Sequence, residues 1–211
     1  MRAGILGQTA MVLRLDHEAV RVSEALHQSG IRSLLLKGPA IQRWLYGDAF
    51  RVYGDIDLMV RGNQYTEAVS VLADCGFHDP APGIASAEVG RHARPYVSSE
   101  GVCVDLHTSL NTAEASADAV WSALTANMRW MDLAGGRVTV CGPDEQLALL
   151  VMHAAQHGGA EEKPLQDLRR VAALVSASDL KSAREVAARM GALASFAAGL
   201  RLYRQLTMTA E

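Results

Sequence analysis

Two aspartates at alternate positions in an otherwise apolar run, Asp55-Ile56-Asp57-Leu58-Met59-Val60, constrain this chain more than any other stretch. As a strand, the run places Asp55 and Asp57 on one face and Ile56, Leu58 and Val60 on the other. Aspartate is depleted in strands, and two neighbouring carboxylates repel each other unless positive charge stands between them. The plain alternative, a solvated face on an edge strand, has that depletion against it. A fold built on this strand must bury the apolar face and leave the acidic face open to a polar site. Paired carboxylate oxygens on a stiff element suit the preference of Mg²⁺ or Mn²⁺ for hard oxygen ligands.

The flanking sequence predicts strands and helices in alternation. Asp16 is placed to cap a helix running through Val20, Val22, Ala25 and Leu26, with Gly30 ending it. Residues 31–36 form an apolar run suited to a buried strand, which stops at Lys37-Gly38-Pro39. Proline is tolerated in a first helical turn, so Pro39 is placed to open a helix over residues 40–46. A strand, a glycine and a helix N-terminus in that order can turn backbone N–H groups toward a phosphate. After the acidic strand, Asn63 reads as the cap of a helix containing Tyr65, Ala68, Val69 and Leu72 and closed by Gly76. Residues 78–90 hold Pro80, Pro82 and Gly83 and read as a loop.

Residues 94–99 and 101–107 predict an antiparallel hairpin whose second strand alternates Val102, Val104 and Leu106 with Cys103, Asp105 and His107. If that strand lies beside the acidic one, Asp105 joins Asp55 and Asp57. A helix over 117–128 and a second hairpin over 130–141 follow, and from Pro143 the pattern turns helical over 144–157, 165–175, 179–190 and 193–206. The expected fold class is α/β (α+β): a mixed sheet flanked by helices, followed by a helical C-terminal lobe. The expected division is residues 1–142 and 143–211.

The net charge of −3 over 211 residues gives no general attraction to nucleic acid or an anionic membrane, so a polyanion needs a local basic site. Long nucleic acid and membranes are therefore not expected partners. Three widely spaced cysteines, Cys75, Cys103 and Cys141, argue against a disulfide framework or a Cys-x-x-Cys zinc site. No signal-peptide pattern and no apolar run of membrane-spanning length is present, and a cytoplasmic setting is expected.

In order and spacing, Leu36-Lys37-Gly38-Pro39-Ala40, Tyr46-Gly47-Asp48, Arg51 with Asp55-Ile56-Asp57-Leu58, Val104-Asp105-Leu106-His107, and His153 and His157 with Leu165 and Asp167-Leu168 resemble one family. It is the nucleotidyltransferase 5 family, uncharacterised bacterial members of the polymerase-beta-like nucleotidyltransferase superfamily. The resemblance implies metal-dependent transfer of a nucleoside monophosphate from an NTP, with ATP preferred, to a hydroxyl or similar group of an acceptor, a small molecule or a protein being preferred. It implies Asp55, Asp57 and Asp105 as the catalytic carboxylates and the ligands of two Mg²⁺ or Mn²⁺ ions. Gly38 would admit the backbone close to the phosphates, and Lys37 and Arg51 would supply positive charge.

Pro39 departs from the wider superfamily, whose loop usually has Gly-Gly or Gly-Ser at this point, with a serine touching the triphosphate. Proline offers neither hydroxyl nor N–H. An alternative reading is thus a catalytically silent nucleotide-binding or protein-interaction module of the same fold, and another is a toxin-like transferase acting on tRNA or protein. His153 and His157 lie four apart on one helical face, a zinc-compatible spacing. Ala154 stands where a metalloprotease needs its glutamate, so a packing or inter-lobe role is expected for the pair.

Overall fold

The computed structural model describes residues 2–82, 92–158 and 160–208. Helix α1 (Arg2–Gln28) leads into strand β1 (Ser33–Leu35). A short helix α2 (Pro39–Ile41) then widens into a π-helical segment (Gln42–Tyr46). Strand β2 (Ile56–Val60), helix α3 (Tyr65–Asp74) and strand β3 (Phe77–His78) follow, then the hairpin β4 (Ala93–Ser98) and β5 (Cys103–His107). After helix α4 (Ala117–Thr125) and the hairpin β6 (Arg129–Leu133) and β7 (Gly136–Val140) come four helices. These are α5 (Pro143–Gln156), α6 (Glu162–Leu174), α7 (Ala177–Arg189) and α8 (Leu193–Met208). Most of the expected 78–90 loop lies outside the described residues, and His78 at its start belongs to β3.

Among the described residues seven strands form one mixed sheet in the order β3, β4, β5, β2, β1, β7, β6. The acidic strand β2 is central, antiparallel to β1 and parallel to β5. Alternation along the inner strands sorts their side chains between two cores. Leu35, Ile56, Leu58, Val60, Val104 and Leu106 pack with α1 and α3 on one face, whereas Leu34, Leu36 and Met59 pack with α4 and the C-terminal helices on the other. Each fully buried Leu, Ile or Val contributes roughly 1.5–3 kcal/mol, so slipping the β2 register by one residue would forfeit several such contributions and drive two aspartates into the α1 core. The apolar pattern thereby fixes the acidic face toward the C-terminal helices.

Two local expectations are revised. Helix α1 begins at Arg2, so Asp16 lies in mid-helix, where it accepts a hydrogen bond from the buried Tyr53 hydroxyl in place of capping a helix start. Helix α3 is preceded by a 3₁₀ turn (Gly62–Gln64), and no side chain, Asn63 included, caps it. Helix α5 begins as proline and first-turn acids favour, with Pro143 at its first turn and Asp144 and Glu145 beside it. It crosses α8 so closely that a Cβ on Gly199 would stand 2.1 Å from the Val151 carbonyl oxygen. No helix among the described residues is long and apolar enough to cross a membrane.

Candidate active site

The parallel β2–β5 register sets Asp57 opposite Asp105 on adjacent strands, whose spacing is about 4.8 Å. Asp55 lies two residues before Asp57, just ahead of the first residue of β2. All three carboxylates line one cleft of about 360 Å³ between the sheet and α5. The sheet thus brings together the residues that were expected to converge.

Asp57 is nearly closed to solvent, 5% exposed, and its Oδ1 receives two partners. Lys37 Nζ, from the residue after Leu36, donates at 2.9 Å, and His107 Nε2, from the end of β5, lies at 3.0 Å. A carboxylate accepts only, so His107 carries its proton on Nε2. Burial opposes ionisation of Asp57, but the His107 hydrogen bond and the Lys37 charge outweigh it and hold the carboxyl well below its ordinary range. Asp55 goes the other way. Burial and the like charges of Asp57 and Asp105 raise it, against weaker opposition from Lys37 and Lys163. Cys103, on the same face of β5, donates to Asp105 Oδ1 at 3.6 Å, and burial with that neighbour pushes its thiol up to about 12. It is therefore a protonated neighbour of the site and not a nucleophile.

Gly38 adopts φ 54°, a conformation that favours glycine, and a Cβ there would come within 3.3 Å of the Tyr53 ring. The same turn binds its own backbone: Ala40 N–H donates to Lys37 O at 3.1 Å, and Pro39 has no N–H to offer.

Arg51 takes a different place from the expected phosphate contact. It is 5% exposed and joins Asp167 of α6, itself 1% exposed, through Nε at 2.9 Å and Nη2 at 2.7 Å. The Tyr46 hydroxyl adds a third bond to Asp167 at 2.7 Å. Arg51 is therefore a tie between the loop that leads into β2 and the C-terminal helices, and it does not line the cleft. Gln42 steadies the same loop, donating to Gly47 O and Ala49 O and accepting from Arg51 N–H at 2.8 Å.

His153 and His157, expected to pack or to lie between the lobes, line the cleft wall opposite the sheet. Their rings meet edge to face with centroids 4.5 Å apart, and His157 Nδ1 donates to Glu161 at 2.7 Å. Burial, Lys37 and His157 push His153 down to about 3, so its imidazole is neutral at physiological pH. The helical pattern of residues 144–157 put the two histidines on one face, but only the packing of α5 shows which way that face looks.

Among the described residues no three His, Cys, Asp or Glu side chains form a closed metal shell. The carboxylate set nonetheless fits a divalent cation in donor type. Its oxygens are hard, and the burial and mutual repulsion that raise Asp55 mark a place where added positive charge is favourable.

In overall fold the chain matches the solution structure of the antibiotic-resistance factor ANT(2'')-Ia, with a TM-score of 0.59 at 16% identity over 94% of this chain and 98% of that one. More distant are an antigenic nucleotidyltransferase-like protein from Paracoccidioides brasiliensis, with a TM-score of 0.48 at 15% identity over 87% of this chain and 92% of that one, and the lincosamide antibiotic adenylyltransferase LnuA, with 0.43 at 12% over 79% and 92%. No curated protein matches the chain significantly. A family model matches residues 6–208, nearly the whole length that holds the sheet, the cleft and the C-terminal helices, and the chain belongs to that family, the uncharacterised nucleotidyltransferases.

Proposed function

We propose that the protein transfers a nucleoside monophosphate from an NTP, with ATP preferred, to a hydroxyl of an acceptor, and that Asp55, Asp57 and Asp105 are its catalytic carboxylates. The observation that carries this reading is the Asp57–Asp105 register on paired strands at the head of a cleft, with Asp55 beside them. An isolated acidic pair is a surface feature, whereas three carboxylates on a buried scaffold, one of them held ionised by Lys37 and His107, are built for charge chemistry.

Asp55, Asp57 and Asp105 would hold Mg²⁺ or Mn²⁺, which when bound neutralises phosphate charge and clamps the attacking and leaving oxygens. The chain's own part is positioning. Lys37 presents an ammonium beside the carboxylates, where a triphosphate would add negative charge. Gly38 lets the turn after β1 take its positive φ against the Tyr53 ring, which holds Lys37 at the head of the cleft. His107 fixes Asp57 in orientation and charge state, and Asp105 is placed to accept the proton of the acceptor hydroxyl. Arg51 acts through Asp167 as a positioning residue for the loop that delivers Asp55.

The decisive experiment is mass spectrometry of a cell extract incubated with the protein, Mg²⁺ and labelled NTPs. A mass increase of one nucleoside monophosphate on an extract component, absent with Asp55→Ala/Asp57→Ala, supports the reading.

The turn at Pro39 favours a second reading. With no N–H on Pro39 and the Ala40 N–H already bonded to Lys37, the loop has few backbone donors left for a phosphate. The second reading is a module that binds nucleotide without transferring it. NTP-dependent thermal stabilisation without pyrophosphate release across the extract experiment would select it.

A further inference from the structure

The cleft has two walls of different chemistry. The sheet wall carries the three aspartates and Lys37. The facing wall carries His153 and Gln156 from α5 and Asn111 and Thr112 from the segment after β5, over an apolar floor of Leu149 and Met152. Among the described residues, none of those four polar side chains makes a hydrogen bond within the protein, and the one ring contact of His153 is the edge of His157. Asn111 and Gln156 are exposed and reach solvent, while His153 and Thr112 are half-buried, and half-buried polar groups left unpaired on a concave wall are satisfied by water or by a ligand.

The charge of this wall narrows the ligand. His153 is neutral, so it offers one donor and one acceptor. Among the described residues Lys37 is the one Lys or Arg lining the cleft, and its ammonium already rests on Asp57. Among the described residues, a phosphorylated or nucleic-acid acceptor thus finds no lysine or arginine on this wall, and a cationic one finds no carboxylate there. Among the described residues no Phe, Tyr or Trp lines the cleft to stack an aromatic acceptor. A compact ring with several hydroxyls satisfies the whole set: its C–H faces cover Leu149 and Met152, and its O–H groups pair with amide, hydroxyl and imidazole. At about 360 Å³ the cleft is at the small end of small-molecule sites.

We propose that this wall is the acceptor subsite and takes an uncharged, polyhydroxylated small molecule, with His153 and Thr112 orienting the attacking hydroxyl. The proposal rests on the nucleotidyltransferase reading above. In the step, the acceptor oxygen forms a bond to the α-phosphorus as the bond from that phosphorus to the pyrophosphate oxygen breaks. Pyrophosphate leaves with the bonding pair, and the hydroxyl proton passes to Asp105.

The test uses the full chain with Mg²⁺ and α-labelled ATP and a panel of probes: myo-inositol, sucrose and N-acetylglucosamine as neutral polyols, glucose 6-phosphate, glucosamine, a tyrosine peptide and tRNA. Nucleotide affinity is measured separately by calorimetry. Label is expected on at least one neutral polyol in preference to the others. His153→Ala and Thr112→Val are expected to raise the KM for that polyol about tenfold each, the scale of one lost neutral hydrogen bond, while ATP affinity moves less than about twofold. His153→Gln, which keeps a donor and an acceptor, is expected to recover part of the loss, whereas a merely structural histidine would give equal defects in both variants. ATP binding with no label on any neutral polyol, or with label favouring the charged, peptide or RNA probes, overturns this proposal alone. Failure of ATP to bind at all overturns the transferase reading and this proposal with it.

Discussion

Removing Asp167 should cost the protein more than removing any surface charge. Asp167 accepts bonds from Arg51 Nε at 2.9 Å, Arg51 Nη2 at 2.7 Å and the Tyr46 hydroxyl at 2.7 Å, and the ion pair is 5% and 1% exposed. Asp167→Ala leaves a guanidinium buried without its counter-charge, a loss of roughly 3–5 kcal/mol. In a chain of this length that lowers Tm by about 6–20 °C. The pair itself has little net worth, because taking both ions out of water offsets most of their attraction. Replacing the unit as a whole, Tyr46→Phe with Arg51→Met and Asp167→Leu, should therefore fall within about 1.5 kcal/mol of the parent. The assay is urea unfolding of the parent, the single variant and the triple variant, followed by circular dichroism. A single variant that loses less than about 1 kcal/mol, or a triple variant as unstable as the single one, would refute the argument that the guanidinium is stranded.

Three further outcomes follow from the same geometry. Asp55→Asn should raise the Tm of the metal-free protein by about 1–3 °C and abolish any Mg²⁺-dependent stabilisation: a carboxyl raised in the fold lowers stability once pH exceeds its ordinary 3.8, so the neutral amide relieves a cost present at pH 7. Asp57, held low, contributes the opposite sign: its stabilisation is complete above 3.8 and is lost as pH falls below that value, so Lys37→Met, which removes one of the groups holding it, should move the acid-unfolding midpoint upward in a pH titration. Gly199→Ala should destabilise by about 1–3 kcal/mol, read by thermal melting, because its methyl would meet the Val151 carbonyl of α5 at 2.1 Å.

Much of the site could be read in the sequence because strand alternation is a strict period. Asp55 and Asp57 were separated from Ile56, Leu58 and Val60 by parity alone, and Asp105 from Val104 and Leu106 in the same way. What parity cannot give is which strand lies beside which, and the Asp57–Asp105 pairing comes from the parallel β2–β5 ladder. Asp16 misled for a local reason. A short acid ahead of an apolar helical pattern looks like a cap, but its partner is Tyr53, 37 residues away. The Arg51–Asp167 tie spans 116 residues and has no local signature, so in the sequence charge alone points Arg51 to the phosphates. His153 had a helical face in the sequence but no direction for it.

The two carboxylates of the opening strand are unequal, and that inequality has a structural cause. Asp57 lies inside β2, flanked by Lys37 after β1 and His107 on β5, so both neighbouring strands deliver a partner to one oxygen. Asp55 lies before the strand begins, where the ladder provides no such partner, and its position depends on the 47–54 loop tied down by Gln42 and Arg51. Asp57 is thus fixed and charged by the sheet itself, while Asp55 is strained by its neighbours and placed by contacts with the C-terminal helices. Loosening the Arg51–Asp167 tie should therefore disturb Asp55 before Asp57. In an Arg51→Lys variant, whose ammonium cannot reproduce the two-pronged contact, the acid-unfolding signature of Asp57 should persist while Mg²⁺-dependent stabilisation weakens. Loss of both together would mean that the loop and the strand move as one unit.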